Sequence, residues 1–518
     1  MSRAGNASGF ADATGLFGSA ALRRPAVPFL AFVLGYFLVQ TLLRVLYAPS
    51  VGLDEAEILV TSQYATWGQG SQPPLYNWLQ IAAFHLFGTN LFALAIVKNA
   101  LLAVSFLSLF LCGRLCFQDD GKAAAAALCL FIEPQIGWES QRALTHSVVA
   151  IAMVAVTCLA LLRVLRSGKM LDYALLGLCV GLGGMSKYNY FIALAALLAA
   201  ALSVRALRQR ILSLRIAVSA AVAGLVLLPH ALWLLDNSAR AMSRTQKFEA
   251  KAEAAFSMEP ILTVAGAALA ACALPLVVFA LAGGVRWWSR GRPSPGPFSA
   301  ERRFLLRIVP AGLLIVAAAA FLAGVTEVRE RWLVTVTLFA PLALFILLEQ
   351  VLGPRQQRAI VSICLLCAAL AMAGLAGLHL LPDLADDPPQ ANRPFPALAE
   401  GIRQDGFTQG VLLAGDTRLA GALKLEFPDS LVLEPQYGAL AQPAEGAATR
   451  AVWRDGEEPP QPLLDLAARG CGLPAISSAP RILAAPFVHS KKMFAIRVAD
   501  MGPCRGPRAL ASLSTTSR

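Results

Sequence analysis

Apolar runs of about twenty residues recur along most of this chain, each long enough to cross about 30 Å of hydrocarbon as a helix. Closed barrels are excluded, because their strands would alternate apolar and polar residues with period two. Only 15% of residues are charged, against about 25% in soluble domains, and the mean hydropathy is +0.61. The expected fold class is an all-α polytopic membrane protein with about 11 transmembrane helices. The runs fall at 25–47, 91–112, 122–137, 143–165, 171–185, 188–204, 211–235, 260–285, 304–325, 332–352 and 360–381.

Basic residues concentrate in alternate loops: Arg23 and Arg24, Arg114 and Lys122, Arg163 to Lys169, Arg205 to Arg215, Arg286 to Arg307, and Arg355 with Arg358. The positive-inside rule places these loops in the cytoplasm. The net charge of +12 therefore reads as topology, and no nucleic-acid partner is expected. With the N-terminus inside and an odd number of spans, the loop after the first span and everything after 382 face outward.

Residues 1–24 read as a disordered cytoplasmic N-terminus and 25–382 as the transmembrane domain. The first run is too long for a signal-peptide core and reads as an uncleaved anchor. From 383 to 505 Pro, Gly and charged residues rise. Val411 to Asp416, Thr417 to Phe427 and Ser430 to Glu434 read as strand, helix, strand, so a small C-terminal α/β extracytoplasmic domain is expected. Residues 506–518 read as a disordered tail. Of ten cysteines, only Cys471 and Cys504 fall in this outward region, and the pair is a disulfide candidate.

Chemistry concentrates in the outward loops. Asp54, Glu55 and Glu57 follow the first span, and no Lys or Arg lies between Tyr47 and Pro74. Such a cluster beside a membrane suits a proton acceptor; the competing reading is helix capping, since Asp54 and Glu57 have N-cap spacing. Gln72-Pro73-Pro74-Leu75-Tyr76-Asn77-Trp78 fixes an extended approach into an interfacial helix, with Tyr76 on a cleft wall or in an aromatic belt. The second outward loop carries Glu139, Arg142 and His146 as substrate-binding candidates. Glu139 and Arg142 can pair, and Glu139 with His146 leaves a divalent metal open, although no motif demands a cofactor. Lys187 beside Tyr188, and Arg329 and Arg331 in Glu327-Val-Arg-Glu-Arg331, stand at outer span ends. They either snorkel to headgroups or grip a phosphate, for which Arg offers a bidentate fork and Lys a point charge. Arg240, Arg244, Lys247 and Lys251 share a helical spacing suited to anionic lipid or an anionic acceptor.

An outward Asp-Glu after the first span, the Pro-Pro-Leu element, Pro134 to His146, Ser186-Lys187-Tyr188, Pro229-His230-Ala-Leu-Trp233 and Glu330-Arg331-Trp332-Leu333 occur in one order. This set resembles the GT-C class of polytopic sugar transferases, in the bacterial glycosyltransferase family 39 branch of the protein O-mannosyltransferase and aminoarabinose-transferase superfamily. The resemblance implies a polyprenyl-monophosphate sugar donor and an enzyme of the bacterial inner membrane with an extracytoplasmic active site. The acceptor would be an envelope glycolipid such as lipid A or lipopolysaccharide, or a protein. Asp54 matches the catalytic Asp, with Glu55 beside it to orient or hold a metal, and Arg331, then Arg329 and Lys187, would hold the donor phosphate. Where the family carries a Thr-Pro-Asp-like motif this chain has Thr145-His146-Ser147. Inverting transfer with Asp54 as general base is the expected reaction. The rival readings are a secondary transporter or lipid flippase, for which repeat symmetry is wanting, and a non-catalytic membrane sensor.

Overall fold

A computed structural model describes residues 26–68, 70–241, 252–289, 299–437, 443–456 and 458–506. The segments read above as disordered, 1–24 and all but the first residue of 506–518, lie outside the described residues, as do Arg244, Lys247, Lys251 and the Arg240 side chain.

The helices run α1 (Ala26–Tyr47), α2 (Leu53–Thr61), α3 (Leu75–Phe87), α4 (Leu91–Phe117), α5 (Asp120–Leu128), α6 (Ser140–Arg142), α7 (Thr145–Arg166), α8 (Met170–Gly184), α9 (Tyr190–Ser203) and α10 (Arg205–Ile211). They continue as α11 (Ile216–Asp236), α12 (Ser238–Ala241), α13 (Glu259–Ser289), α14 (Ala300–Ala323), α15 (Glu330–Thr337), α16 (Ala340–Leu348) and α17 (Pro354–Leu380). Among the described residues, α1, α4, α7, α11, α13, α14 and α17 are each long and apolar enough to cross a membrane. Two bent pairs, α9 with α10 at 116° and α15 with α16 at 49°, raise the count from 7 to as many as 9. The two remaining runs of the sequence reading are helical but short. The 171–185 run is the 15-residue α8, and the 122–137 run is α5 followed by a 3-10 turn (Cys129–Ile132) and a π turn (Gln135–Glu139).

The break in that second run has a local cause. Pro134 disfavours the helical region for the residue before it, and Glu133 is extended at φ −84°, ψ 109°. The fully buried Glu133 carboxylate accepts the Thr337 hydroxyl at 3.0 Å, at the end of α15 where the other break falls. Two broken helices thus meet through one polar contact inside the bundle. Close packing elsewhere uses small residues: a Cβ at Gly177 of α8 would overlap the Ser219 backbone of α11.

The C-terminal part is a five-stranded mixed sheet of β1 (Val411–Ala414), β2 (Leu431–Leu433), β3 (Ala448–Arg454), β4 (Arg481–Pro486) and β5 (Met493–Pro503), in the order β2-β1-β3-β5-β4. Strand β1 runs parallel to β2 and β3, and β5 antiparallel to β3 and β4. Helices α18 (Phe395–Gln404), α19 (Thr417–Glu426) and α20 (Gln461–Cys471) flank it. The expected strand-helix-strand is β1-α19-β2. Asp416 starts the helix by accepting the Arg418 and Leu419 N–H groups at 2.8 and 3.0 Å.

This sheet is docked on α2. Gly421 of α19 lies against Ala56, so closely that a Cβ there would overlap the Ala56 backbone. The Gln63 amide both donates to and accepts from the Val432 backbone, at 2.8 and 3.0 Å, continuing the ladder at edge strand β2. The Tyr437 hydroxyl donates to Glu57 at 2.6 Å. On the other side, Asn392 exchanges bonds of 2.7 Å with His379 at the end of α17 and donates to Val488 at 3.0 Å. Gly421→Leu is expected to pry α19 from α2 and lower activity at least about tenfold while the isolated sheet's interior stays intact. Activity together with cysteine accessibility at Ala56→Cys checks this; unchanged activity would detach the docking from function.

Candidate active site

The turn between α1 and α2 is built by Arg44. Its guanidinium meets Glu55 through two bonds, Nε to Oε1 at 3.0 Å and Nη2 to Oε2 at 2.7 Å. It also donates to the Ala48 and Ser50 carbonyls at 3.0 and 2.7 Å. Glu55 further accepts the Gly52 N–H at 3.1 Å. No Lys or Arg lies between Tyr47 and Pro74; the partner comes from the last turn of the preceding helix. Glu55 also corrects the expected cap: the N-cap of α2 is Gly52 and Glu55 sits at N3, so Asp54 and Glu57 do not form the capping pair. Burial alone would raise the Glu55 carboxyl. The Arg44 charge and fork, helped by Lys98 and the Gly52 N–H, overcome this and hold it at about 2.

Asp54 points elsewhere, as successive helix residues must. Its Oδ2 accepts the Leu144 N–H at 2.7 Å, across ninety positions of sequence. Leu144 precedes α7 with φ +68°, a left-handed conformation that costs a branched residue about 1–3 kcal/mol. The charge-assisted bond to Asp54 helps to offset that strain. Among the described residues Asp54 has no ion-pair partner, in contrast to Glu55.

Several predicted residues gather beside Asp54. The rings of Tyr76 and His146 are 5.6 Å apart. Burial first, then the charges of Glu55 and Asp54, push the Tyr76 phenol up. Lys187 donates to Ser147, next to His146, at 2.7 Å. The Pro73-Pro74 element reaches the same corner, since the Leu75 N–H bonds Met185 at 3.0 Å. Tyr188 turns to His230, 3.4 Å away, whose ring bonds the Trp67 carbonyl at 2.6 Å.

Beside α2 opens a cavity of about 800 Å³, within the range of small-molecule sites; Leu53 and Glu55 line it and Asp54, between them, does not. Gly52, Leu53 and Ala143, the neighbours of the Asp54–Leu144 contact, line it. So do the paired Glu139 and Arg142, 3.1 Å apart, and Lys98 of α4. Lys98 is 4% exposed and donates to the Gln141 carbonyl at 3.3 Å. Neither Arg329 nor Arg331 lines the cavity: Arg329 bonds Glu327 at 2.6 Å, and Arg331 is exposed in the first turn of α15. Among the described residues no group of three or more His, Cys, Asp or Glu side chains forms a metal-binding set. Cys471 and Cys504, the disulfide candidate, share one buried cluster with the sheet and are unbonded in this structure. Arg44 and Lys98 are the functional candidates that the sequence reading passed over. Their signal was a charge inside an apolar run, which is a site hypothesis by default.

Lipopolysaccharide core galacturonosyltransferase RgtB of Rhizobium johnstonii is 34% identical over 414 residues, covering 79% of this chain and 83% of that protein. The chain belongs to the GT-C membrane glycosyltransferase family. RgtA of the same organism is 32% identical over 440 residues, covering 81% and 85%. The family model described as dolichyl-phosphate-mannose-protein mannosyltransferase matches residues 71–233. The fold of this GT-C enzyme is also that of ArnT from Cupriavidus metallidurans, solved bound to undecaprenyl phosphate. That likeness has TM-score 0.53 at 14% identity and covers 95% of this chain and 99% of that one. The all-α polytopic class, the small C-terminal sheet and glycosyltransferase activity inferred from sequence therefore stand.

One buried acid near this GT-C site reports on docking. Glu434, 2% exposed, is pushed up to about 7 by burial, with Glu57 and Asp416 adding to the rise against the Gln436 and Tyr437 N–H donors. A carboxyl raised in the folded state contributes stability in full below about 4.3, its unfolded value, and loses it as pH rises through about 7. Glu434→Gln is expected to raise the thermal midpoint at pH 8 and leave it nearly unchanged at pH 4.5. Equal effects at the two pH values would count against the raised value.

Proposed function

We propose that the protein transfers one sugar from a polyprenyl-monophosphate carrier to an envelope glycolipid at the outer face of the bacterial inner membrane, with Asp54 as general base. The lipopolysaccharide core is the favoured acceptor, because the two curated relatives are named for it, and a galacturonosyl unit is the favoured sugar for the same reason. A protein acceptor is named only in the description of the family model that matches residues 71–233.

The observation that carries this reading is the different treatment of two adjacent carboxylates. Glu55 is consumed by Arg44, whereas half-buried Asp54 is held at one oxygen by a backbone N–H and keeps the other for an acceptor hydroxyl. As the hydroxyl oxygen bonds to the anomeric carbon, its proton passes to Asp54. The bond from that carbon to the phosphate oxygen breaks, and the lipid phosphate leaves with the electron pair. One displacement inverts the anomeric centre. The departing phosphate gains charge and needs a fixed cation. Lys187 is the best-placed of the sequence candidates, since its contact with Ser147 lies beside His146 and Tyr76. Arg331 and Arg329 remain candidates from the other loop.

Asp54→Asn should cut transfer by at least about 10²-fold at unchanged expression. Mass spectrometry of lipopolysaccharide from cells carrying each form reads the product. Near-normal product from the Asn form would remove Asp54 from the mechanism.

The phosphate assignment divides in the same assay. If Lys187 holds the donor phosphate, Lys187→Met weakens apparent donor affinity and slows transfer, while Arg331→Ala and Arg331→Lys behave alike and near wild type. If Arg331 holds it, the Ala form is slow and the Lys form recovers only part, because the bidentate fork is lost.

A further inference from the structure

The cavity beside α2 has two walls of different origin. The membrane wall carries Arg44, neutralised by Glu55, and Lys98. The opposite wall belongs to the C-terminal part and carries Arg393, Arg454 and Lys492. Arg393 follows the 3-10 turn Gln390–Asn392 and lies over the Phe494 ring, 4.7 Å from its centroid. Its Nε is buried without a hydrogen-bond partner. Arg454 ends β3 and reaches Asp416 at 2.8 Å, and its Nε is likewise buried without a partner. Asp416 is already engaged, since its other oxygen caps α19. Lys492 donates to the carbonyls of Ala385 and Asp386, which carry no charge. Asp387 is the one acidic side chain on this wall of the cavity among the described residues.

This wall therefore holds more positive charge than it neutralises, in a partly desolvated place. Burial and then repulsion by Arg454 lower the Arg393 guanidinium to about 10. Two guanidiniums that share the single carboxylate of Asp416 leave net positive charge on one cavity wall, and their planar forks match carboxylate or phosphate oxygens. We propose that Arg393 and Arg454 form a subsite for an acidic group, a carboxylate or a phosphate, on the saccharide that occupies this cavity. The proposal rests on the reading of the cavity as substrate space of the transferase. The donor's lipid tail must stay in the bilayer, so the sugar nearest the C-terminal wall belongs to the acceptor.

The test uses the full chain in detergent with two acceptors and two donors. The acceptors are lipopolysaccharide core oligosaccharide, native or with its carboxyls reduced to alcohols and its phosphates removed. The donors carry a hexuronosyl or the matching neutral hexosyl unit on one polyprenyl phosphate. Wild type is expected to favour the native acceptor at least about tenfold in kcat/KM, a difference of about 1.4 kcal/mol. Arg393→Gln and Arg454→Gln should abolish that preference by raising the native acceptor's KM, with kcat on the neutralised acceptor unchanged. Arg393→Lys, which keeps the charge and fills similar space, should retain part of it and serves if the Gln forms fail to fold. Loss of discrimination between the donors instead would keep the anion subsite and assign it to the donor sugar. A merely structural role slows charged and neutral substrates alike, and that result overturns the subsite. So does a wild type that transfers sugar without preferring the charged partner in either arm. A wild type that transfers nothing from any donor overturns the polyprenyl-phosphate reading as well, so the two failures are separable.

Discussion

The Arg44–Glu55 pair is the interaction on which the site depends. Arg44 is on the last turn of the first span, and its five-donor head is used on Glu55 and two carbonyls of the connecting turn. That fixes the direction in which α2 leaves the membrane helix, and with it the direction of Asp54. The pair is partly buried, and removing one partner strands the other charge where water only partly reaches it. Here the larger effect would be geometric, because a carboxylate acting as a base must stay within hydrogen-bond reach of its acceptor.

A second set of contacts holds α2 from above. Gly421, Gln63 and Tyr437 join it to the C-terminal sheet, and Leu144 joins it to the start of α7. The short helix with the proposed base is thus clamped between the first span, a later span and a separate sheet. Pre-organisation of this kind suits a reaction whose barrier falls mainly through positioning and fixed charges. It also explains why the cavity has walls from two parts of the chain that are hundreds of residues apart.

Much of the fold was legible because hydrophobic periodicity reports burial directly. All eleven apolar runs are helical, and the β1-α19-β2 unit follows its pattern closely. The two short runs differ because Pro134 and a buried Glu133 break one of them, a tertiary effect that length alone does not reveal. The acidic loop was legible as a cluster of carboxylates beside the first span, but the different contacts made by its members were not. Asp54 and Glu55 are neighbours in sequence, and only the fold decides which of them meets Arg44. Counting basic residues in loops passed over Arg44 and Lys98, which stand within apolar runs. The C-terminal wall was illegible for a related reason: Arg393 and Arg454 look like ordinary surface residues until the sheet is docked.

The Gln63 side chain extends the ladder of β2 at Val432, and the two partners of this contact are made at very different times. A sheet edge offers a row of unmet donors and acceptors to any passing strand. In this chain the cover for that edge is made early, on a loop between the first spans, hundreds of residues before the strand it protects. Released from its membrane partner, the sheet would present a bare edge along β2. The chain order means that the chaperone for this edge is already in place, as part of the same molecule, when the last strands are synthesised.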